Sequence, residues 1–153
     1  MQTQLGSGVS EKDAKQFWAL MHKDQFSDDD FEKFKAVVPK QFNGLTKNRY
    51  GSTALYVACD LLKERLIEPL CLGITAEQVA KESESSSYKL TPLYILWVHS
   101  KNPTAEATAK RCLALFEKCL GGKQGEKTSS GWDTLVEHSK SIYLKVHRLE
   151  WTG

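Results

Sequence analysis

The sequence predicts an all-α protein, an α-solenoid of about three to four helix pairs with degenerate repeats. Two observations carry this. The segment Gly51-Ser52-Thr53-Ala54-Leu55-Tyr56-Val57-Ala58-Cys59 recurs loosely as Lys89-Leu90-Thr91-Pro92-Leu93-Tyr94-Ile95-Leu96-Trp97. Each copy has a turn, a threonine, a small residue or proline, and then a short apolar helix. In addition, Ile67-x-x-Leu70-Cys71 echoes Phe34-x-x-Val37-Val38 at an offset of 33 residues. A repeat near that period marks units that bury their apolar faces only by stacking on their neighbours. Such a build offers a binding surface rather than an active site.

Each element has its own signals. Ser10, with Asp13 three residues on, caps a first helix whose apolar stripe is Phe17, Trp18, Leu20 and Met21. Ser27 followed by Asp28, Asp29 and Asp30 opens a second helix, placing negative charge at the positive end of its dipole. Phe31, Phe34, Val37 and Val38 line its buried face, and Pro39 ends it. Asn43-Gly44 and Tyr50-Gly51 are turn signals. Thr53 caps a short helix to about Leu62, and another runs from about Lys63 through Leu72 to a stop at Gly73. Pro69 inside it predicts a lost hydrogen bond and a kink.

From Gly73 to Tyr88 the chain reads as polar, with one short helical turn starting at Thr75. Thr91-Pro92 opens a helix to about His99, and Asn102-Pro103 breaks it. Thr104 is expected to cap a long helix through Leu120, with Ala109, Cys112, Leu113, Leu115, Phe116, Cys119 and Leu120 facing inward. The last helix or helix pair spans Asp133 to about Glu150. Residues 1–9 read as a flexible tail and 10–153 as one domain. Within it, 10–40 form an N-terminal cap pair, 41–73 a repeat, 74–122 an enlarged repeat and 123–153 a degenerate C-terminal cap.

Composition narrows the function classes. The 153 residues are 41% apolar and 26% charged, ordinary values for one globular domain. With 21 basic and 19 acidic side chains the net charge is +2, which gives no general pull toward nucleic acid or an anionic membrane. No apolar run approaches a membrane span, and the first residues lack the pattern of a secretory signal. Cys59, Cys71, Cys112 and Cys119 all fall in apolar helical patterns, without C-x-x-C or zinc-ligand spacing. They read as buried free thiols that behave as small hydrophobes, ahead of a redox pair or a metal site, and a reducing cytoplasm fits them best.

On these residues the chain resembles the ankyrin-repeat family, whose motif is G-x-T-P-L-H-x-A-A followed by a second helix with I-V-x-x-L-L-x-x-G. Gly51, Thr53, Leu55, Ala58, Leu66, Ile67, Leu70 and Gly73 match in the best copy. Thr91, Pro92 and Leu93, then Leu115 to Leu120 and Gly121, match in the next, and Gly131-Trp132-Asp133-Thr134-Leu135 is an eroded last copy. The departures are Tyr56 and Tyr94 in place of the motif histidine, and Leu96 and Trp97 in place of small alanines. The larger pair should splay the third helix pair from the second. About eleven additional residues between Thr91 and Leu115 enlarge the third unit.

The resemblance implies a non-catalytic module, an adaptor, scaffold or inhibitor, that binds another protein and is a monomer before it does so. Modules of this kind occur in eukaryotic regulators and in effectors delivered into host cells. The family binds through repeat tips and the concave face of the first helices. Mapped residue by residue, that surface is Arg49, Tyr50 and Ser52 with Asp60 and Leu61, then Ser87, Tyr88 and Leu90 with Val98 and His99, then Ser129, Ser130 and Trp132. Tyrosine, tryptophan and arginine are the residue types that most often anchor interfaces.

Other constellations are weaker. Asp28-Asp29-Asp30 lacks the glycine and distal glutamate of a calcium loop. Asp133, Glu137 and His138 lie near one another on one helix, but there is no G-x-S-x-G elbow and no phosphate loop. No catalytic residue, metal or cofactor is therefore expected. Tyr143, Lys145, His147, Arg148 and Trp151 form a basic amphipathic end that reads as a terminal cap. The alternatives are a helical enzyme with an unrecognised site, or nucleic-acid binding through that end.

Overall fold

Phe17 is the side chain around which the first helix pair closes. It lies on α1 (Glu11–Met21), and its ring stacks on Phe42 at 4.4 Å and on Phe34 at 5.9 Å between centroids. Ala14 and Met21, three and four residues away on the same helical face, are buried with it. The computed structural model describes residues 11–38, 40–84, 90–121 and 131–147. Ser10, read as the cap of α1, and Pro39, read as the stop of the next helix, lie outside them.

The second helix, α2 (Asp28–Val37), starts on a reciprocal cap. The Asp30 N–H donates to Ser27 Oγ at 3.1 Å, and the Ser27 N–H donates to Asp30 Oδ2 at 3.0 Å. Two backbone donors that would otherwise be orphaned at the helix start are thereby satisfied. Lys23 Nζ adds a 2.8 Å contact to Asp30 Oδ1. Phe34 is buried, and Phe26 meets it edge-on at 6.3 Å.

Loop 40–53 is sewn to the helices that follow it. Thr53 caps α3 (Ala54–Asp60) by accepting from the Tyr56 N–H at 3.2 Å. Leu55, Ala58 and Cys59 of α3 have no exposed surface. Leu62, in the left-handed region at φ 56°, reverses the chain into α4 (Glu64–Cys71). There Leu66, Ile67 and Leu70 are buried. Pro69 sits in the last turn of α4, so the N–H it lacks costs a single bond, to the Arg65 carbonyl, just before the helix stops. Gly44 donates its N–H to the Leu70 carbonyl at 2.9 Å, and a Cβ on Gly44 would lie 2.5 Å from that oxygen. The loop approaches the end of α4 that closely only because residue 44 is glycine.

Two expectations are corrected here. The stretch expected to be polar chain with a single turn is a helix of nine residues, α5 (Ala76–Glu84), that buries Ala76, Val79 and Ala80. Thr75 and Gln78 cap it reciprocally, Gln78 N–H to Thr75 Oγ1 at 3.2 Å and Thr75 N–H to Gln78 Oε1 at 2.9 Å. The following helix, α6 (Pro92–Ser100), starts as read, with the Tyr94 N–H donating to Thr91 Oγ1 at 2.9 Å. The long helix, α7 (Glu106–Leu120), does not start on Thr104. Thr104 gives both its N–H and its hydroxyl to Asn102 Oδ1, at 3.1 and 2.9 Å, so its side chain serves the turn and the helix begins two residues later. Ala109, Cys112, Phe116 and Leu120 of α7 are buried, while Leu113, Leu115 and Cys119 are half-buried against the core. The last helix, α8 (Trp132–His147), is a single helix where one or two were expected.

The described residues thus form eight helices and no strand beyond an antiparallel bridge between Lys47 and Thr53. α1 packs on α2, α3 on α4 and α6 on α7. Across these pairs, α1, α3, α6 and α8 contact one another in succession, and α4 contacts α7. Ion pairs stitch the outer helices. Arg65 of α4 reaches Asp28 at 3.0 Å and stands over the Phe31 ring at 4.5 Å, and Arg111 Nε of α7 meets Glu64 Oε1 at 3.1 Å. Of Leu96 and Trp97, expected to splay the third helix pair from the second, Leu96 is fully buried and Trp97 is partly buried against the core, and α3 and α6 are in contact. α5 packs on α8, where Gly131 lies against the first turn of α5 at Glu77.

Candidate protein-binding surface

The turn before α3 is held by a single side chain. Asn48 Oδ1 accepts from the Tyr50 and Ser52 N–H groups at 2.9 and 3.0 Å, and the Asn48 N–H donates to the Ser52 carbonyl at 2.9 Å. Gly51, at φ 84°, takes the left-handed position the turn requires. Lys47 pairs with Glu82 of α5 at 2.7 Å and so ties the turn to the neighbouring helix. The backbone is fixed, and Arg49 and Tyr50 project from it. Tyr50 is 58% exposed. Arg49 Nη2 donates to its hydroxyl at 3.0 Å, and the guanidinium carbon lies 5.1 Å from the ring centroid. The pair is an exposed flat apolar ring with a fixed cation beside it.

At the other end of α3, Asp60 and Leu61 meet α6. His99 Nε2 lies 2.9 Å from the Asp60 carbonyl and 3.4 Å from Asp60 Oδ1. Leu61 is 41% exposed beside them, and Val98 is half-buried. The structure therefore joins Asp60 and His99, which the sequence had placed in separate repeat units. Because the C-terminal ends of α3 and α6 meet, the two helices run in the same direction.

Between these two ends lies an aromatic row that the motif comparison does not assign to the partner surface. Tyr94 of α6 meets Tyr143 of α8 edge-on at 6.1 Å, and Trp97 meets the same ring at 6.4 Å. Tyr56 occupies on α3 the motif position that Tyr94 holds on α6. Burial pushes the Tyr56 hydroxyl up to about 12, with the Asp60 carboxylate and then Tyr94 adding to the shift. The Tyr94 hydroxyl is raised too, by burial and then by Tyr143. The Tyr56 and Tyr94 hydroxyls therefore stay neutral near pH 7 and can both donate and accept hydrogen bonds. The legible signal was the repeated tyrosine at positions 56 and 94; Tyr143 lies on the helix of the eroded last copy, beyond its matched residues.

The remaining proposed contacts divide. Ser52 and Leu90 are half-buried, Ser52 within the turn. Trp132 is half-buried, its ring 5.9 Å from that of Phe116 and packed against the core, so only part of it faces outward. Ser87, Tyr88, Ser129 and Ser130 lie outside the described residues.

The acidic run that opens α2 is engaged in ion pairs and a helix cap. Asp28 pairs with Arg65 at 3.0 Å, Asp29 with Lys33 at 3.7 Å, and Asp30 with its cap and Lys23. Among the described residues no three His, Cys, Asp or Glu side chains converge as metal ligands. His138 Nε2 is buried with no hydrogen-bond partner among them, so that nitrogen is not held by Asp133 or Glu137. A groove of about 620 Å³ between α1 and α2 is lined by Phe17, Leu20 and Val37 with Asp13, Lys23 and Asp30. No described helix is long and apolar enough to cross a membrane. No family model, no curated protein and no solved structure matches this chain.

Proposed function

We propose that this chain is a non-catalytic, ankyrin-like module that binds another protein through the Arg49–Tyr50 turn and the α3–α6 face ending at Leu61, Val98 and His99. The observation that carries the reading is the rigid display of Tyr50. A large ring is held 58% exposed on a turn whose backbone is fixed by Asn48. A rigid aromatic anchor loses little conformational entropy on binding and buries much area. Support comes also from the equivalent threonine caps of α3 and α6 and from the stacking of those helices side by side. On this reading the protein is an adaptor, scaffold or inhibitor, monomeric before binding, and works in the cytoplasm of the cell that makes it or of a host cell.

The test is affinity capture from lysate with the full chain, run against a variant carrying Arg49→Ala, Tyr50→Ala and Leu61→Ala, all at exposed positions. A partner retained by the parent and lost by the variant, with helical circular dichroism unchanged, supports the assignment. Equal retention by both sinks it, and moves the interface to the outer helices or to the basic segment from Lys140 onward.

A further inference from the structure

The arginines among the described residues are not used alike. Arg65 Nη2 meets Asp28 Oδ1 at 3.0 Å, and Arg111 Nε meets Glu64 Oε1 at 3.1 Å. Both therefore spend their charge on carboxylates of the fold itself. Arg49 is exposed and pairs with no carboxylate among the described residues. Its side chain makes a single hydrogen bond among them, from Nη2 to the Tyr50 hydroxyl at 3.0 Å. The other N–H groups of this guanidinium are available to a second molecule. The neighbouring cation, Lys47, is 14% exposed and already neutralised by Glu82 at 2.7 Å. The turn thus presents one positive charge that the fold leaves uncompensated.

A guanidinium accepts a carboxylate through two parallel N–H···O bonds. The bond to the Tyr50 hydroxyl and the seat 5.1 Å from the ring centroid restrict Arg49 before any partner arrives. Less side-chain freedom is then lost on binding. A phosphate monoester carries about −1.5 to −2 charges near neutral pH. A single cation, with the Glu82 carboxylate beside its neighbour, suits a singly charged group better. Tyr50, 58% exposed, adds an apolar ring next to the cation. In an extended peptide, residues two apart face the same side at roughly 7 Å, which matches the step from guanidinium to ring.

We propose that the partner offers this turn an acidic segment, in which one aspartate or glutamate carboxylate pairs with Arg49 and an apolar residue within two positions of it covers the Tyr50 ring. The proposal rests on the reading of the turn as the interface.

The folded full chain is used to pan a displayed library of random linear peptides, and the enriched peptides are titrated against it by fluorescence polarisation. They should share an aspartate or glutamate with an apolar residue within two positions. Arg49→Gln should weaken them about 10- to 100-fold, the range expected when a hydrogen-bonded charge partner is removed. Replacing the acid of the peptide by its amide should cost as much, and the two changes together little more. A second panning on Arg49→Glu should enrich lysine or arginine in place of the acid. Both side chains are exposed, so helical circular dichroism should not change. Peptides that are lost in Tyr50→Ala, yet carry no acid or ignore Arg49→Gln, overturn the acidic partner and leave the interface standing. Peptides that survive Tyr50→Ala and Arg49→Gln alike overturn the interface as well. Displacement by inorganic phosphate at constant ionic strength overturns the proposal in favour of a phosphate ligand, and a library that yields no enriched peptide overturns it outright.

Discussion

Thr91 and Ser139 share a hydrogen bond between their hydroxyls, with neither residue exposed to solvent. The contact joins the cap of α6 to the middle of α8. Thr91 Oγ1 also accepts from the Tyr94 N–H, so one hydroxyl both caps a helix and anchors a neighbour. Ser139→Ala should cost about 1–3 kcal/mol, because it leaves a buried hydroxyl short of a partner. Thr91→Val should cost at least as much, since the cap is lost as well. The double variant should fall short of the sum by more than about 0.5 kcal/mol in urea unfolding. Strict additivity would mean that the two hydroxyls do not support each other.

Asp30 sets an acid limit on the first helix pair. Its hydrogen bond from Lys23, then that from the Ser27 N–H, lower its carboxyl from 3.8 to about 2, against the opposing effect of burial. A carboxyl lowered in the folded state contributes stability above its unfolded pKa and loses it as pH falls through the folded one. This contribution should therefore be complete above about pH 4 and vanish toward pH 2. In Asp30→Asn that slope between pH 4 and 2 should flatten, as read by denaturant midpoints at each pH.

The α3–α4 contact holds the centre of the core. Leu55→Ala and Leu70→Ala each remove a fully buried side chain and should cost about 2–5 kcal/mol. Ala58 has no exposed surface either, and Ala58→Arg should exceed both, because a buried charge without a partner is added to overpacking. Thermal melts rank the three, and parent-like melting of Ala58→Arg would contradict the packing of α3.

Two glycines with similar backbone angles should respond differently. Gly131, at φ 87°, would place a Cβ within 2.4 to 2.5 Å of Glu77 backbone and Cβ atoms, whereas Gly73, at φ 78°, has nothing within 4 Å. Gly73→Ala should cost about 1 kcal/mol, for the left-handed backbone alone. Gly131→Ala should cost clearly more, because α8 must also back away from α5. Equal losses in chemical denaturation would show that the α5–α8 contact yields easily.

Local signals were legible where a side chain acts on its own backbone. Ser27, Thr53 and Thr91 each cap the helix they precede, because a short hydroxyl reaches only the next turn. The same rule misfires at Thr104, where Asn102 lies within reach of the hydroxyl and wins it. The local pattern hides α5 although Thr75-x-x-Gln78 is a capping pair, because its exposed face outweighs Val79 and Ala80. Its cover comes from α8, far along the chain. Distance in sequence also hid the ring contact of Tyr94 with Tyr143. The exposed members of the candidate surface, Arg49, Tyr50 and Leu61, were readable because a turn and a helix end leave side chains outward.

The dependence of α5 on α8 has a temporal side. A helix of nine residues is too short to persist alone in water. Its last residue, Glu84, precedes the first residue of its cover, Trp132, by 48 positions. At about 5–20 residues per second, a ribosome takes several seconds to make that length. During that interval Val79 and Ala80 have no helix from α8 to lie against, while α1 to α4 can already pair. The newborn chain therefore carries an unshielded apolar segment behind its first four helices until α8 has been made.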